Sequence, residues 1–201
     1  MKIAILTSSR ADYGILYPLI SKLKSDNFFD VDIIAFGSHL SKISGKTKAL
    51  ILNDGFEIKY SLNTSPKTDT PLHISNSMAN TINKIAKIWE KESYNLVLVL
   101  GDRYEMFAAC ASSIPFNVKI AHIHGGETTY GAIDDCFRNS ITQMASIHFT
   151  AAEEYPNRVI ELKNSNLPEE IRIGAVLRED KVLIPRSSFV FQKDDRVVFL
   201  A

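Results

Sequence analysis

Apolar residues fall in short closed runs along this chain, and the stretches between them repeat at a different period. Buried strands are predicted over 2–7, ended by Ser8-Ser9-Arg10, and over 31–36, ended by Gly37-Ser38-His39. Two more are predicted over 95–100, ended by Gly101-Asp102-Arg103, and over 118–123, ended by His124-Gly125-Gly126-Glu127. Between the runs the spacing turns helical. Ile15, Leu16, Leu19, Ile20 and Leu23 predict a helix over 12–23, with Asp12 as its cap. Ile74, Met78, Ile82, Ile85, Ala86 and Trp89 predict one face of a long amphipathic helix over 73–91. Further helices are expected over 47–53, 104–113 (ended before Pro115), 135–145 and 152–163. Short strands are expected over 56–60, 147–150 and 171–173, and 63–69, polar and containing Pro66, reads as a loop.

Strands alternating with helices imply a parallel sheet. The expected fold is α/β, a doubly wound Rossmann-like parallel sheet over about 1–175. Residues 176–193 show no clear period, and 196–200 form a strand-like run before the chain stops at Ala201. The tail over 176–201 is therefore expected to be divergent, either truncated or pairing back onto the sheet.

Composition narrows the function classes. Hydrophobic residues make up 45% and charged residues 23%, as in an ordinary globular core. Lys+Arg and Asp+Glu are equal at 23 each, which argues against a nucleic-acid partner but leaves room for a local basic phosphate pocket. The N-terminal apolar run is too short for a signal peptide, and no run approaches the roughly 20 residues that span a bilayer. The expectation is a cytoplasmic protein with no membrane partner. Cys110 and Cys136 have no metal or redox spacing and are expected to be buried reduced thiols.

The chemistry collects at predicted strand ends, where open parallel sheets bind ligands. In 8–14, small residues and a helix N-terminus favour anions, and Arg10 offers a planar fork for phosphate oxygens. The segment lacks the GxGxxG spacing of a dinucleotide site. Its plainer reading is a surface turn with a solvated Arg. Asp102 leaves its strand into the crevice, with Arg103 as neighbour, and also suits a helix N-cap. His122 and His124 alternate out of one strand like metal ligands, but without a third His or Cys nearby no metal is expected. One is read as packed and the other as bonded to the loop. Gly125-Gly126 permits positive φ and would swing Glu127 over the strand ends. Asp134 and Asp135 open a helix, and Arg138 can pair with Asp134 at i,i+4. Asp102, Glu127, Asp134 and Asp135, with Arg103 and Arg138 as counter-charges, form a carboxylate cluster suited to moving protons.

Thr7-Ser-Ser-Arg-Ala-Asp-Tyr-Gly14, Gly101-Asp-Arg103, His122-Ile-His-Gly-Gly-Glu127, Gly131-Ala-Ile-Asp-Asp135 and Arg138-Asn-Ser-Ile-Thr142 occur in that order. Together they resemble the hydrolysing UDP-N-acetylglucosamine 2-epimerases of the sialic- and legionaminic-acid precursor branch, from the N-terminus to about Gly174. The resemblance implies two Rossmann-like domains of GT-B type around a cleft, of which this chain supplies the first. It implies conversion of a UDP- or GDP-linked N-acetylglucosamine and water to N-acetylmannosamine and the nucleoside diphosphate, through a glycal-like intermediate. It implies no cofactor, and a homo-oligomer at full length. Asp102, Glu127 and Asp134 resemble the catalytic acids. Arg10, the backbone near Gly14, and Arg103 resemble contacts to the diphosphate and sugar, and His124 and Asp135 are placed with them at the substrate. Three departures stand out. His124 occupies the place of Glu in an HIEGGE segment, Asn139 replaces the His of RHS, and the path after Gly174 diverges. With one wall of the cleft, the isolated chain is expected to turn over little substrate. The alternatives are a non-catalytic remnant of such an enzyme and half of a GT-B glycosyltransferase.

Overall fold

The computed structural model describes residues 1–41, 45, 47–129, 133–152, 154–164, 172–178, 181–183 and 196–200. Gly131, Ala132 and the tail positions between its strands lie outside the described residues. In chain order the elements are β1 (Lys2–Thr7), α1 (Arg10–Ser25), β2 (Asp30–Ala35), α2 (Lys48–Asn53), β3 (Tyr60–Ser61), α3 (Pro71–Lys91), β4 (Leu96–Leu100) and α4 (Tyr104–Ser113). There follow β5 (Ile120–Ile123), α5 (Asp134–Met144), β6 (Ile147–Phe149), α6 (Tyr155–Asn164), β7 (Arg172–Arg178), β8 (Lys181–Leu183) and β9 (Arg196–Leu200).

The strands form one sheet in the order β3-β2-β1-β4-β5-β6-β9-β7-β8. The first six are parallel, and their order reverses between β1 and β4, as in a Rossmann-like sheet. β9 runs antiparallel to β6 and to β7, and β8 hairpins onto β7. The tail thus pairs back onto the sheet edge.

Strand alternation sends side chains into two cores. Ala4, Leu6, Val97 and Val99 pack with α3, α4 and α5 through Ile85, Trp89, Met106 and Ile141. Ile3, Ile5, Ile33 and Leu98 pack with α1 and α2 through Leu16, Ile20 and Ile51. With helices on both faces, β4 is buried and apolar throughout its length.

Four expectations need correction. α1 is capped by Ser9, and Asp12 occupies the third helical position as the reciprocal half of a capping box. The strand predicted over 56–60 is only Tyr60–Ser61, paired in parallel with Ile34 and Ala35 of β2. α3 is rotated from its predicted face: Ser77, Thr81, Ile85, Ile88 and Trp89 are buried, whereas Ile82 is 36% exposed. The Ser77 hydroxyl donates to the Thr64 carbonyl at 2.5 Å and that of Thr81 to the Ser77 carbonyl at 2.9 Å, so small polar residues can face inward. Cys110 is buried as expected, but Cys136 is exposed. Among the described residues no helix is long and apolar enough to cross a membrane.

Candidate functional site

The C-terminal ends of β1, β4 and β5 lie side by side, since β4 pairs with both β1 and β5. The β1 end is fixed by the capping box. Asp12 accepts hydrogen bonds from the Ser8 and Ser9 N–H groups at 2.8 and 2.9 Å, from the Ser8 hydroxyl at 2.8 Å and from the Ser9 hydroxyl. Only 5% of Asp12 is exposed, so its carboxylate is committed to shaping the loop. Arg10, the first helical residue, is exposed. With Ser9, Ala11, Ser38, Thr47 and Arg103 it lines an open cleft of about 420 Å³. Gly14 lies on the exposed side of α1, where an added Cβ would meet nothing within 4 Å.

At the β4 end Gly101 has φ of 79°, and its N–H donates to the Ile123 carbonyl at 3.0 Å. That left-handed residue turns the chain into Asp102. Asp102 is ion-paired with Arg138 of α5, not with its neighbour Arg103. Arg103 instead clasps Glu105 through Nη2 at 3.2 Å and Nε at 3.3 Å. Glu105 is 1% exposed and needs that cation. The counter-charges therefore differ from the sequence-based expectation.

The β5 end carries both histidines into different environments. His122 is fully buried, with Nε2 2.8 Å from the Gly101 carbonyl and Nδ1 3.3 Å from the Thr142 hydroxyl. Burial pushes its pKa down to about 4, so the ring is neutral at pH 7 and Nε2–H donates to Gly101. Gly125 makes room for this ring: an added Cβ would sit 2.9 Å from His122 Nδ1. The left-handed residues of the turn are His124 (φ 65°) and Gly126 (φ 79°), so Gly125 is required for space rather than for φ. An added Cβ at Gly126 would meet the Tyr155 carbonyl at 2.8 Å.

His124 points back into the turn, its Nδ1 3.0 Å from Glu127 Oε1. Glu127 Oε2 lies 3.8 Å from Arg138 Nη1, and Asp135 Oδ1 lies 4.0 Å from the same nitrogen. Asp135 also accepts the Thr129 N–H at 2.7 Å. Arg138 is only 6% exposed and gathers Asp102, Glu127 and Asp135 around one guanidinium. Its expected i,i+4 partner, Asp134, has no ion pair with it; the helical pairing is with Asp135 at i,i+3. Asp134 begins α5, half-buried. The structure thus brings Asp102, His124, Glu127 and Asp135 together, places Arg10 and Arg103 on the neighbouring cleft, and leaves Asp134 outside the shared cation.

Two residues carry a larger part than the sequence assigns them. Arg138 was read as one counter-charge among two, yet it is the hub. The available signal was its helical phase with Ile141 and Thr142, which puts a charge on a buried stripe. Thr142 joins the same stripe, holding His122 Nδ1 and donating to the Arg138 carbonyl at 2.9 Å. Among the described residues no group of three His, Cys, Asp or Glu side chains is arranged to hold a metal ion.

Comparison with known proteins bears on this geometry. The profile of the family described as UDP-N-acetylglucosamine 2-epimerase matches residues 21–183. A polysialic acid biosynthesis protein P7 of Escherichia coli is 37% identical over 161 residues, 80% of this chain and 41% of its own length. A GDP/UDP-N,N'-diacetylbacillosamine 2-epimerase (hydrolyzing) of Campylobacter jejuni is 31% identical over 193 residues, 96% of this chain and 49% of its own. The crystal structure of a Methanocaldococcus jannaschii UDP-GlcNAc 2-epimerase in complex with UDP-GlcNAc and UDP superposes with a TM-score of 0.71 at 22% identity, over 82% of this chain and 45% of that one. The fold is accordingly one Rossmann-like half of a GT-B-type architecture. This chain spans under half the length of these relatives.

Proposed function

The chain belongs to the UDP-N-acetylglucosamine 2-epimerase family, and from that membership we propose that it contributes one wall of a hydrolysing 2-epimerase acting on a UDP- or GDP-linked 2-acetamido sugar. The observation that carries this reading is the position of Asp102. It stands beside the strand-order reversal, ion-paired to a buried Arg138 that also gathers Glu127 and Asp135. Next to it Arg103 joins Arg10 on the cleft at the α1 N-terminus. An anion site and a proton-handling cluster side by side suit a sugar linked to a diphosphate.

In this reading Arg10, the exposed backbone at Gly14, and Arg103 bind the diphosphate. Asp102, Glu127 and Asp134 serve the reacting sugar, and His124 and Asp135 line it. A carboxylate takes the C2 proton while the C1–O bond breaks and the nucleoside diphosphate departs. The resulting C1=C2 glycal is then protonated at C2 from the other face, and water adds at C1. The sialic- or legionaminic-acid branch is part of this reading; among the relatives, one is named for polysialic acid biosynthesis and one for a diacetylbacillosamine substrate. A soluble, cytoplasmic homo-oligomer is part of the same proposal.

The test is turnover of UDP-N-acetylglucosamine and of UDP- and GDP-linked diacetylbacillosamine in D2O by the protein carrying this domain. Release of the diphosphate with a 2-epimeric sugar deuterated at C2 is expected. Transfer of the sugar to an acceptor, with no free 2-epimer, would favour the glycosyltransferase reading instead. In the same assay Asp102→Asn is expected to lower kcat by about 10²- to 10⁴-fold. Unchanged turnover removes Asp102 from the chemistry.

A further inference from the structure

His124 sits where β5 gives way to the turn, in the left-handed region. For a residue with a Cβ this costs roughly 1–2 kcal/mol, and such conformations concentrate at functional sites. The backbone is pinned there: the His124 N–H donates to the Phe149 carbonyl of β6 at 2.9 Å, and Gly126 closes the turn against α6. The imidazole is 35% exposed, its Nδ1 faces Glu127, and its Nε2 has no partner among the described residues. This is an imidazole held beside a carboxylate, with Nε2 left uncommitted for proton transfer. His122 cannot take that part, being fully buried with both nitrogens engaged.

Strand order says which part of a substrate His124 meets. The anion-binding end is at β1, β4 lies beside it, and β5 lies one strand further. Neighbouring strands are about 4.8 Å apart. A diphosphate at Arg10 therefore places the scissile C1–O bond near Asp102 and the sugar toward β5, away from the leaving group.

We propose that His124 is a catalytic residue of the hydration half-reaction, its Nε2–H protonating C2 of the glycal, with Glu127 a positioning residue that acts through it. The proposal rests on the epimerase reading above. In the first half-reaction Asp102 takes the C2 proton, the C2–H electron pair becomes the C1=C2 bond, and the C1–O pair leaves on the diphosphate. In the second, the π pair takes a proton from His124 Nε2 on the opposite face while the oxygen of water bonds to C1. The proton of that water returns to His124, and Asp102 gives its proton to solvent. One water is consumed and C2 is inverted. Glu127 stabilises the imidazolium before the transfer and holds the ring afterwards.

The test uses the protein carrying this domain, with whichever of the three nucleotide sugars the wild type turns over, and follows products by NMR. Wild type is expected to give diphosphate and 2-epimer with little glycal. His124→Asn still releases diphosphate, but glycal accumulates and the ratio of glycal to 2-epimer rises at least tenfold. Glu127→Gln moves the ratio the same way, and the double variant goes no further than His124→Asn alone. A folded His124→Asn with the wild-type ratio overturns the proposal, as does one that releases no diphosphate and no glycal. If His124→Asn does not fold, His124→Gln and Glu127→Gln carry the same test. Wild type that releases no diphosphate from any of the sugars sinks the epimerase reading and this proposal together, a result distinct from an unchanged product ratio.

Discussion

Arg138 carries three carboxylates on one buried guanidinium, and its own Nε is buried without a hydrogen-bond partner among the described residues. Removing a partner from a buried ion pair leaves the remaining charge uncompensated, which costs about 3–5 kcal/mol. Arg138→Met keeps the side chain's bulk and deletes its charge. Asp102, Glu127 and Asp135 then repel one another with no cation between them. The variant is expected to lose about 3 kcal/mol of unfolding free energy, read as a fall in the urea midpoint. It is also expected to lose turnover more severely than Glu127→Gln. A midpoint within error of wild type means that the carboxylates find other counter-charges. Arg103 is not positioned to be one, since Glu105 already holds it.

At the scale of elements, β5 and α5 meet through His122, Thr142 and the missing side chain of Gly125. A Cβ there would stand 2.9 Å from His122 Nδ1 and 3.2 Å from Thr142 Oγ1, so one of the two elements must shift. His122 also holds the Gly101 carbonyl, and the shift passes to the residue before Asp102. Gly125→Ala is expected to destabilise by about 1–3 kcal/mol and to reduce turnover, whereas Gly14→Ala, with open space around its Cβ, changes stability little. Chemical denaturation of the two variants checks the contrast. This junction also shows where sequence reading succeeds and stops. The strands β1 and β4 and the helix α4 could be placed because each is a local apolar pattern closed by local punctuation. The carboxylates were found because they follow such strands directly. Arg138 as hub, the Arg103–Glu105 clasp and the rotated face of α3 depend on partners distant in sequence or on buried polar side chains, which periodicity does not record. The tail was legible only in part: the strand expected over 171–173 and the run over 196–200 fall on β7 and β9, which pair back onto the sheet, but β8 and the antiparallel register lie across a stretch of chain with no regular period.

The molecule as a whole carries a pH liability in its sheet. His122 on β5 and His148 on β6 are neighbours in register, both buried. Burial pushes them down to about 4 and about 3, respectively, and both His148 ring nitrogens lack a hydrogen-bond partner among the described residues. Arg138 and His124 oppose a charge on His122, while Asp102 and the Gly101 carbonyl favour it. Lys163 and His122 oppose one on His148, while the Ala145 carbonyl favours it. In the unfolded chain both rings titrate near 6.5. The folded state binds fewer protons below that pH, so their contribution is whole above about pH 6.5 and shrinks as pH falls toward 4. Each histidine can remove up to about 1.4 kcal/mol per pH unit in that window. Glu92 acts lower down. Hydrogen bonds from Lys2 and Tyr60 hold it at about 2, so its contribution is present above about pH 4.5 and is lost as pH falls through 2. Urea midpoints measured from pH 8 to 5 are therefore expected to fall below pH 6.5. His148→Leu, which replaces an unpartnered buried ring with an apolar side chain, is expected to be no less stable at pH 7 and to lose about half of that slope. A slope unchanged in His148→Leu would show that His148 is not buried as a neutral ring, and would move the acid sensitivity to His122 and the Asp102 junction it holds.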